Sequence, residues 1–145
     1  MNKACPLVIR INNEHIEFLA FKHPLAGNQI VKGTIERGES LEAACERELK
    51  EESGLTGKVV SNLGCWDTGF EGQVWGVCEI ELDKAAEENW EHYCLDDNGH
   101  TFRFFWQELD SQLDESWHPI FKGAIEYVKS AITKTGTRLV NSRVL

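Results

Sequence analysis

From Leu41 to Ser53 the chain runs in helix-favouring residues without a glycine or proline, and both ends of the run carry boundary signals. Ser40 can cap the first turn by accepting from an otherwise unpaired N–H, and Gly54 suits the left-handed position that closes a helix. On a 3.6-residue spacing Leu41, Cys45 and Leu49 recur at i, i+4 and i+8, a stripe that anchors the helix to a core. Glu48, Glu51 and Glu52 fall at i, i+3 and i+4, so they project from one face, where each like-charge neighbour costs a few tenths of a kcal/mol, roughly, even in water. Six carboxylates lie between Glu39 and Glu52 against Arg47 and Lys50. A run of Glu and Lys is ordinarily a solvated face. An anchored helix presenting three carboxylates is also an oxygen-ligand site for a hard divalent cation such as Mg²⁺, which keeps several waters and shares its shell with phosphates.

Around this helix the remaining elements fall into place. Leu7 to Ile11 and His15 to Phe21 read as a strand hairpin across Asn12-Asn13-Glu14, and His23 to Asn28 as a loop. Gln29-Ile30-Val31 reads as a short strand entering the turn at Gly33. Lys58 to Leu63, Gln73 to Leu82 and Thr101 to Trp106 are β-rich, and the polar stretch Asp83 to His100 reads as a long acidic loop with room for a short helix. A last helix is expected from Pro119, with Phe121, Ile125, Val128 and Ile132 on one stripe. The order β-β-α-β-β-β-α predicts a mixed sheet covered by two helices. Residues 1–145 read as one domain, with 133–145 a candidate tail.

Composition narrows the function. The chain has 145 residues, 41% of them hydrophobic, enough for one core. Fifteen basic against 24 acidic side chains give a net charge of −9, which argues against a nucleic-acid duplex held through its backbone. A small phosphorylated ligand remains open to an acidic protein when divalent cations mediate. No apolar run approaches the roughly 18 residues a membrane span needs. Five scattered cysteines (Cys5, Cys45, Cys65, Cys78 and Cys94) form no C-x-x-C, read as small buried hydrophobes, and with no evident secretory signal fit a reducing cytoplasm.

The spacing as a whole is more telling than the acidic helix alone. Gly33, five residues, Glu39, seven residues, then Arg47-Glu48-Leu49-x-Glu51-Glu52-x-Gly54-Leu55 resembles the full signature of the Nudix hydrolases at nine specified positions. The resemblance implies an α/β fold of the Nudix α/β/α-sandwich type, a mixed β-sheet between helices. It implies hydrolysis of a nucleoside diphosphate linked to another group, by water attack at phosphorus with Mg²⁺ or Mn²⁺ bound. By the same resemblance Glu48, Glu51 and Glu52 would hold the metal with the carbonyl of Lys32, and Arg47 would pair with a box carboxylate, Glu39 being the expected partner. The base would be Glu51 or Glu48, with a loop acid (Glu91, Asp96 or Asp97) as a further candidate ligand.

Lys32 and Arg37 are candidates to meet substrate phosphate, and the five tryptophans (Trp66, Trp75, Trp90, Trp106, Trp117) and Phe70 to stack on a base, although most aromatic side chains belong to a core. Neither His92 nor His100 carries a role on sequence grounds. Near Phe70-Glu71-Gly72 the chain lacks both the proline that marks ADP-ribose pyrophosphatases and the tyrosine that marks diadenosine polyphosphate hydrolases, and it lacks the NADH-pyrophosphatase extension. The substrate is therefore left open. A metabolite-binding module with little catalysis is the competing reading, and a prenyl-diphosphate isomerase a weaker one. A homodimer is the default assembly.

Overall fold

The computed structural model describes residues 1–95 and 99–134. Among the described residues, nine strands and two helices follow one another as β1 (Lys3–Leu7), β2 (Ile9–Asn12), β3 (His15–His23), β4 (Gly27–Gln29), β5 (Gly33–Thr34), α1 (Leu41–Ser53), β6 (Gly57–Asp67), β7 (Val74–Leu82), β8 (Trp90–Cys94), β9 (His100–Glu108) and α2 (Pro119–Lys134). The strands make two sheets. One is mixed, in the order β5-β1-β7-β6, with β1 parallel to β7 and the other pairs antiparallel. The second is antiparallel, in the order β2-β3-β9-β8, with the short β4 added alongside β3.

Both faces of β1, of β7 and of the middle of β3 are buried, which is why these stretches are apolar runs rather than clean alternations. Cys5, Leu7, Phe18, Ala20, Trp75 and Val77 turn toward α2, where Phe121, Ile125, Val128 and Ile132 complete one core. Their neighbours Ala4, Val8, Leu19, Phe21, Cys78 and Ile80 turn the opposite way and pack with Leu41, Ala44, Cys45 and Leu49 of α1. The period of two therefore sorts each strand between two helices, giving an α/β/α arrangement. The stripes read from both helices are the buried ones.

Several boundaries differ from the sequence reading. The expected strand Leu7–Ile11 is broken at Val8, because the chain passes there from the first sheet to the second. Pairing at the expected strand Gln29–Val31 is confined to Gly27–Gln29 and Gly33–Thr34, while Ile30 and Val31 between them are buried in opposite cores. The stretch read as an acidic loop contains β8. Its Trp90, His92 and Cys94 point inward and its Glu91 and Tyr93 outward, an alternation disguised by an inward histidine and an outward tyrosine. Cys65 is exposed, whereas the other four cysteines are buried as expected, and all five are free thiols. α2 includes residues 133 and 134 of the candidate tail, and 135–145 lie outside the described residues. Among the described residues no helix is long and apolar enough to cross a membrane.

Candidate active site

The site grows from the ends of α1. Ser40 Oγ accepts from the Ala43 N–H at 3.0 Å, and Gly54, at φ +80°, returns its N–H to the Lys50 carbonyl at 2.9 Å. Both ends being closed, α1 begins and stops where its apolar stripe meets the core. The segment before it, from Gly33 to Ser40, folds across the carboxylate face of the helix, and Arg47 ties the two together. Its Nε donates to Glu39 Oε2 at 2.7 Å and its Nη2 to Glu39 Oε1 at 2.8 Å. Nη2 also donates to the Thr34 carbonyl at 3.0 Å, and Nη1 reaches Glu48 Oε1 at 2.8 Å and Glu51 Oε2 at 3.1 Å. A planar fork with five donors can serve three carboxylates and a carbonyl together, as a lysine could not.

Charge pairing shifts Glu39 and Arg47 strongly. The Arg47 guanidinium, and after it the Glu36 N–H, hold the Glu39 carboxyl at about 2, well below its ordinary value. Arg47 in turn is raised, chiefly by its hydrogen bonds to Glu39, which outweigh the lowering by burial, and further by Glu48. Glu48 and Glu52 are buried, with 5% and 8% of their surface exposed, while Glu51 faces solvent. Glu48 lies against Gly33: a Cβ placed on residue 33 would fall on the Glu48 carboxyl group. Only a glycine leaves room for that carboxylate.

Lys32 approaches the same face from the strand side. It is half-buried, with its Nζ 5.8 Å from the centre of the Trp75 ring. Burial first, and then Lys3, lower its pKa, while Glu52, Cys5 and Glu48 act in the opposite direction. Lys3 is held by Thr34, whose Oγ1 accepts from its Nζ at 2.9 Å. Burial, with Cys78 and Glu52 adding to it, pushes the Cys5 thiol up to about 12, so this neighbour of the acidic face stays protonated at neutral pH.

The remaining candidates divide. Arg37 is exposed in the segment leading to α1. Glu91 stands on the outward side of β8 and pairs with Arg103 at 3.4 Å. Asp96 and Asp97 lie outside the described residues. Trp75 and Trp117 are fully enclosed in the α2 core, while Trp66, Trp90 and Trp106 are half-buried.

A family model for the NUDIX domain matches residues 1–122 of the chain. The chain belongs to the NUDIX family. A curated relative, the ADP-ribose pyrophosphatase of Saccharomyces cerevisiae (strain ATCC 204508 / S288c), is 34% identical over 73 residues, which are 48% of this chain and 32% of that protein. The chain thus spans about a third of the length of the curated relative it matches. Among solved structures, an ADP compounds hydrolase superposes with a TM-score of 0.63 at 18% identity, covering 94% of this chain and 76% of the other. A UDP-X diphosphatase superposes at 0.60 with 20% identity, over 92% and 63%. At such identities these two neighbours speak for the NUDIX fold.

The NUDIX helix also borders a feature that sequence reasoning missed. Lys32 and Glu52 open onto a cavity of about 450 Å³ whose described lining includes His23, Gln29, His100 and Phe102. These four come from β3, β4 and β9. His100 and Phe102 are neighbours on β9, and His23 and Gln29 lie on adjacent strands, but only the β3–β9 pairing brings the two pairs together. His92 is placed elsewhere, with its Nε2 3.1 Å from the Glu51 carbonyl at the end of α1.

Proposed function

We propose that the chain hydrolyses the pyrophosphate bond of a nucleoside diphosphate linked to a second group, with Mg²⁺ or Mn²⁺ bound at the NUDIX helix. The observation that carries this reading is the pair of buried carboxylates on α1, Glu48 and Glu52, one of them seated in the space that Gly33 leaves by lacking a side chain. Among the described residues no three acidic, histidine or cysteine side chains form a ready metal cluster, and Glu48 and Glu51 both reach Arg47. That donor set nonetheless suits Mg²⁺, which is commonly held by one or two carboxylates, water and substrate phosphates.

Glu48, Glu51 and Glu52, with the Lys32 carbonyl, would hold the ion, and when bound it supplies neutralisation of the diphosphate oxygens and a more acidic water. The chain's own part is positioning, which dominates phosphoryl chemistry. Arg47 holds the carboxylates in register with the Gly33–Ser40 segment. Lys32, and Arg37 from the loop, would meet phosphate oxygens, and Glu51 or Glu48 would accept the proton of the attacking water. The name of the yeast relative makes ADP-ribose the first compound to try, although the proline that marks such enzymes is missing near Phe70.

The test is a panel of nucleotide-linked diphosphates incubated with Mg²⁺ or Mn²⁺ and assayed for released nucleoside monophosphate. Glu48→Gln and Glu52→Gln are expected to abolish release while leaving the far-ultraviolet circular dichroism unchanged. Full activity in either folded variant would overturn the assignment. Tight nucleotide binding with no product from the wild-type chain would identify a binding module instead.

A further inference from the structure

We propose that the cavity beside Glu52 is a nucleobase site, in which His23, His100 and Gln29 read the base of a nucleotide whose phosphates lie toward Lys32. The inference rests on the function proposed above, because it assigns one half of that substrate to a place.

It follows from how one face of the second sheet changes along its length. On β3, Leu19, Phe21 and His23 share a face, and on β9 His100, Phe102 and Phe104 share the corresponding one, with Phe21 paired to Phe104. Leu19, Phe21, Phe102 and Phe104 are buried in the α1 core. At the end of the same face the residues are His23 and His100, both only half-buried and both lining the cavity. The rings remain in contact across the change. Phe21 stacks on Phe102 at 4.4 Å, Phe102 meets His23 at 5.3 Å, and His23 meets His100 at 4.8 Å. An aromatic wall thus emerges from the core and ends in rings that can also hydrogen-bond.

A base is the part of a nucleotide-linked diphosphate that offers both a π face and a hydrogen-bonding edge. The Leu25 N–H donates to His23 Nδ1 at 3.0 Å, which fixes that ring beside His100. Gln29 adds an amide with both a donor and an acceptor. A second anionic group is disfavoured in this cavity by the Glu52 carboxylate, which borders it. At about 450 Å³ the space lies within the range of roughly 300–1,000 Å³ usual for small-molecule sites. A larger cavity of about 590 Å³ lies past the end of α1, beside Trp90 and His92, but its described lining includes none of Glu48, Glu51, Glu52 or Lys32.

The experiment is calorimetric titration of the wild-type chain, His100→Ala, His100→Phe and Gln29→Ala with the four common nucleoside 5′-monophosphates and with ribose 5-phosphate, all in Mg²⁺. The wild-type chain should bind at least one nucleotide more tightly than ribose 5-phosphate. His100→Ala and Gln29→Ala should each weaken that nucleotide about tenfold and leave ribose 5-phosphate unchanged, and His100→Phe should recover most of the stacking. Folded variants that keep wild-type affinity for every nucleotide, or that lose both ligands equally, would overturn the site. If diphosphates are cleaved while these affinities do not move, the base site alone fails. If nothing is cleaved but the base-dependent affinity falls as described, the base site stands and the proposed reaction fails.

Discussion

Gly33 and Glu48 share one volume: the position that a Cβ of residue 33 would take is filled by the Glu48 carboxyl group. Glu48 is otherwise fixed by Arg47 Nη1 at 2.8 Å and by its burial on α1. The glycine lies 15 positions before the glutamate, and β5 and α1 carry them to the same spot. Spacing between these two residues is therefore a steric requirement of the acidic face.

Gly33→Ala should move Glu48 rather than unfold the chain. Forcing a methyl into a filled site costs about 1–3 kcal/mol, a few degrees in Tm at this size. A catalytic carboxylate displaced by about 1 Å can cost on the order of a hundredfold in rate. Paired measurements of kcat and thermal melting check this, and a Gly33→Ala protein with wild-type kcat would show that Glu48 has no fixed role in turnover.

Arg47→Lys keeps the charge and removes the fork. A single ammonium cannot span Glu39, Glu48, Glu51 and the Thr34 carbonyl at the distances observed. Several charge-assisted hydrogen bonds are lost together from a partly buried cluster, and urea unfolding should show a loss of about 2 kcal/mol. The affinity for Mg²⁺ should fall as well, because the carboxylates lose the group that aligns them. Retention of both stability and metal affinity would mean that the cluster is organised from elsewhere.

The Glu39–Arg47 pair carries a pH signature. Glu39 is held at about 2 in the folded chain, whereas its ordinary value is 4.5. A carboxyl depressed on folding adds stability that is complete above the ordinary value and is withdrawn as the pH falls toward the folded one. Between pH 4.5 and about 2 the wild-type chain should therefore lose stability faster than Glu39→Gln, which has no such proton to take up. Urea midpoints at pH 6, 4 and 3 should show the two proteins converging, and parallel curves would contradict the pairing.

What could be read from the chain was what is local along it. α1, its Ser40 and Gly54 caps, its anchoring stripe and its acidic face are all set by residues within one helix and its borders, where a period of 3.6 leaves a visible pattern. α2 was legible for the same reason. β8 was not, because in Trp90-Glu91-His92-Tyr93-Cys94 the half-buried side includes His92 and the exposed side Tyr93, so burial alternates without a matching alternation of apolar and polar residues. The break at Val8 was equally invisible, since both sides of it are buried and the apolar run continues across it. The cavity beside Glu52 depends on His23 and Phe102 meeting across paired strands roughly 80 residues apart.

β8 was the element least apparent beforehand, and it supports the last turn of α1. Trp90 Nε1 donates to the Ser53 carbonyl at 3.0 Å, and its ring lies flat on Phe104 at 5.1 Å. Trp90→Phe keeps an aromatic ring for that stack and removes the donor, leaving a helix-end carbonyl without its side-chain partner. The cost should be about 1 kcal/mol. Because Glu51 and Glu52 sit on that turn, the loss should be local: amide exchange at Gly54, whose N–H closes the helix on Lys50, should quicken about fivefold. Trp106→Phe is the matched control, since Trp106 Nε1 donates at 3.1 Å to the Glu87 carbonyl, outside α1. It should lower stability by a similar amount without altering exchange in α1, and equal quickening in both variants would show that β8 does not hold the helix end.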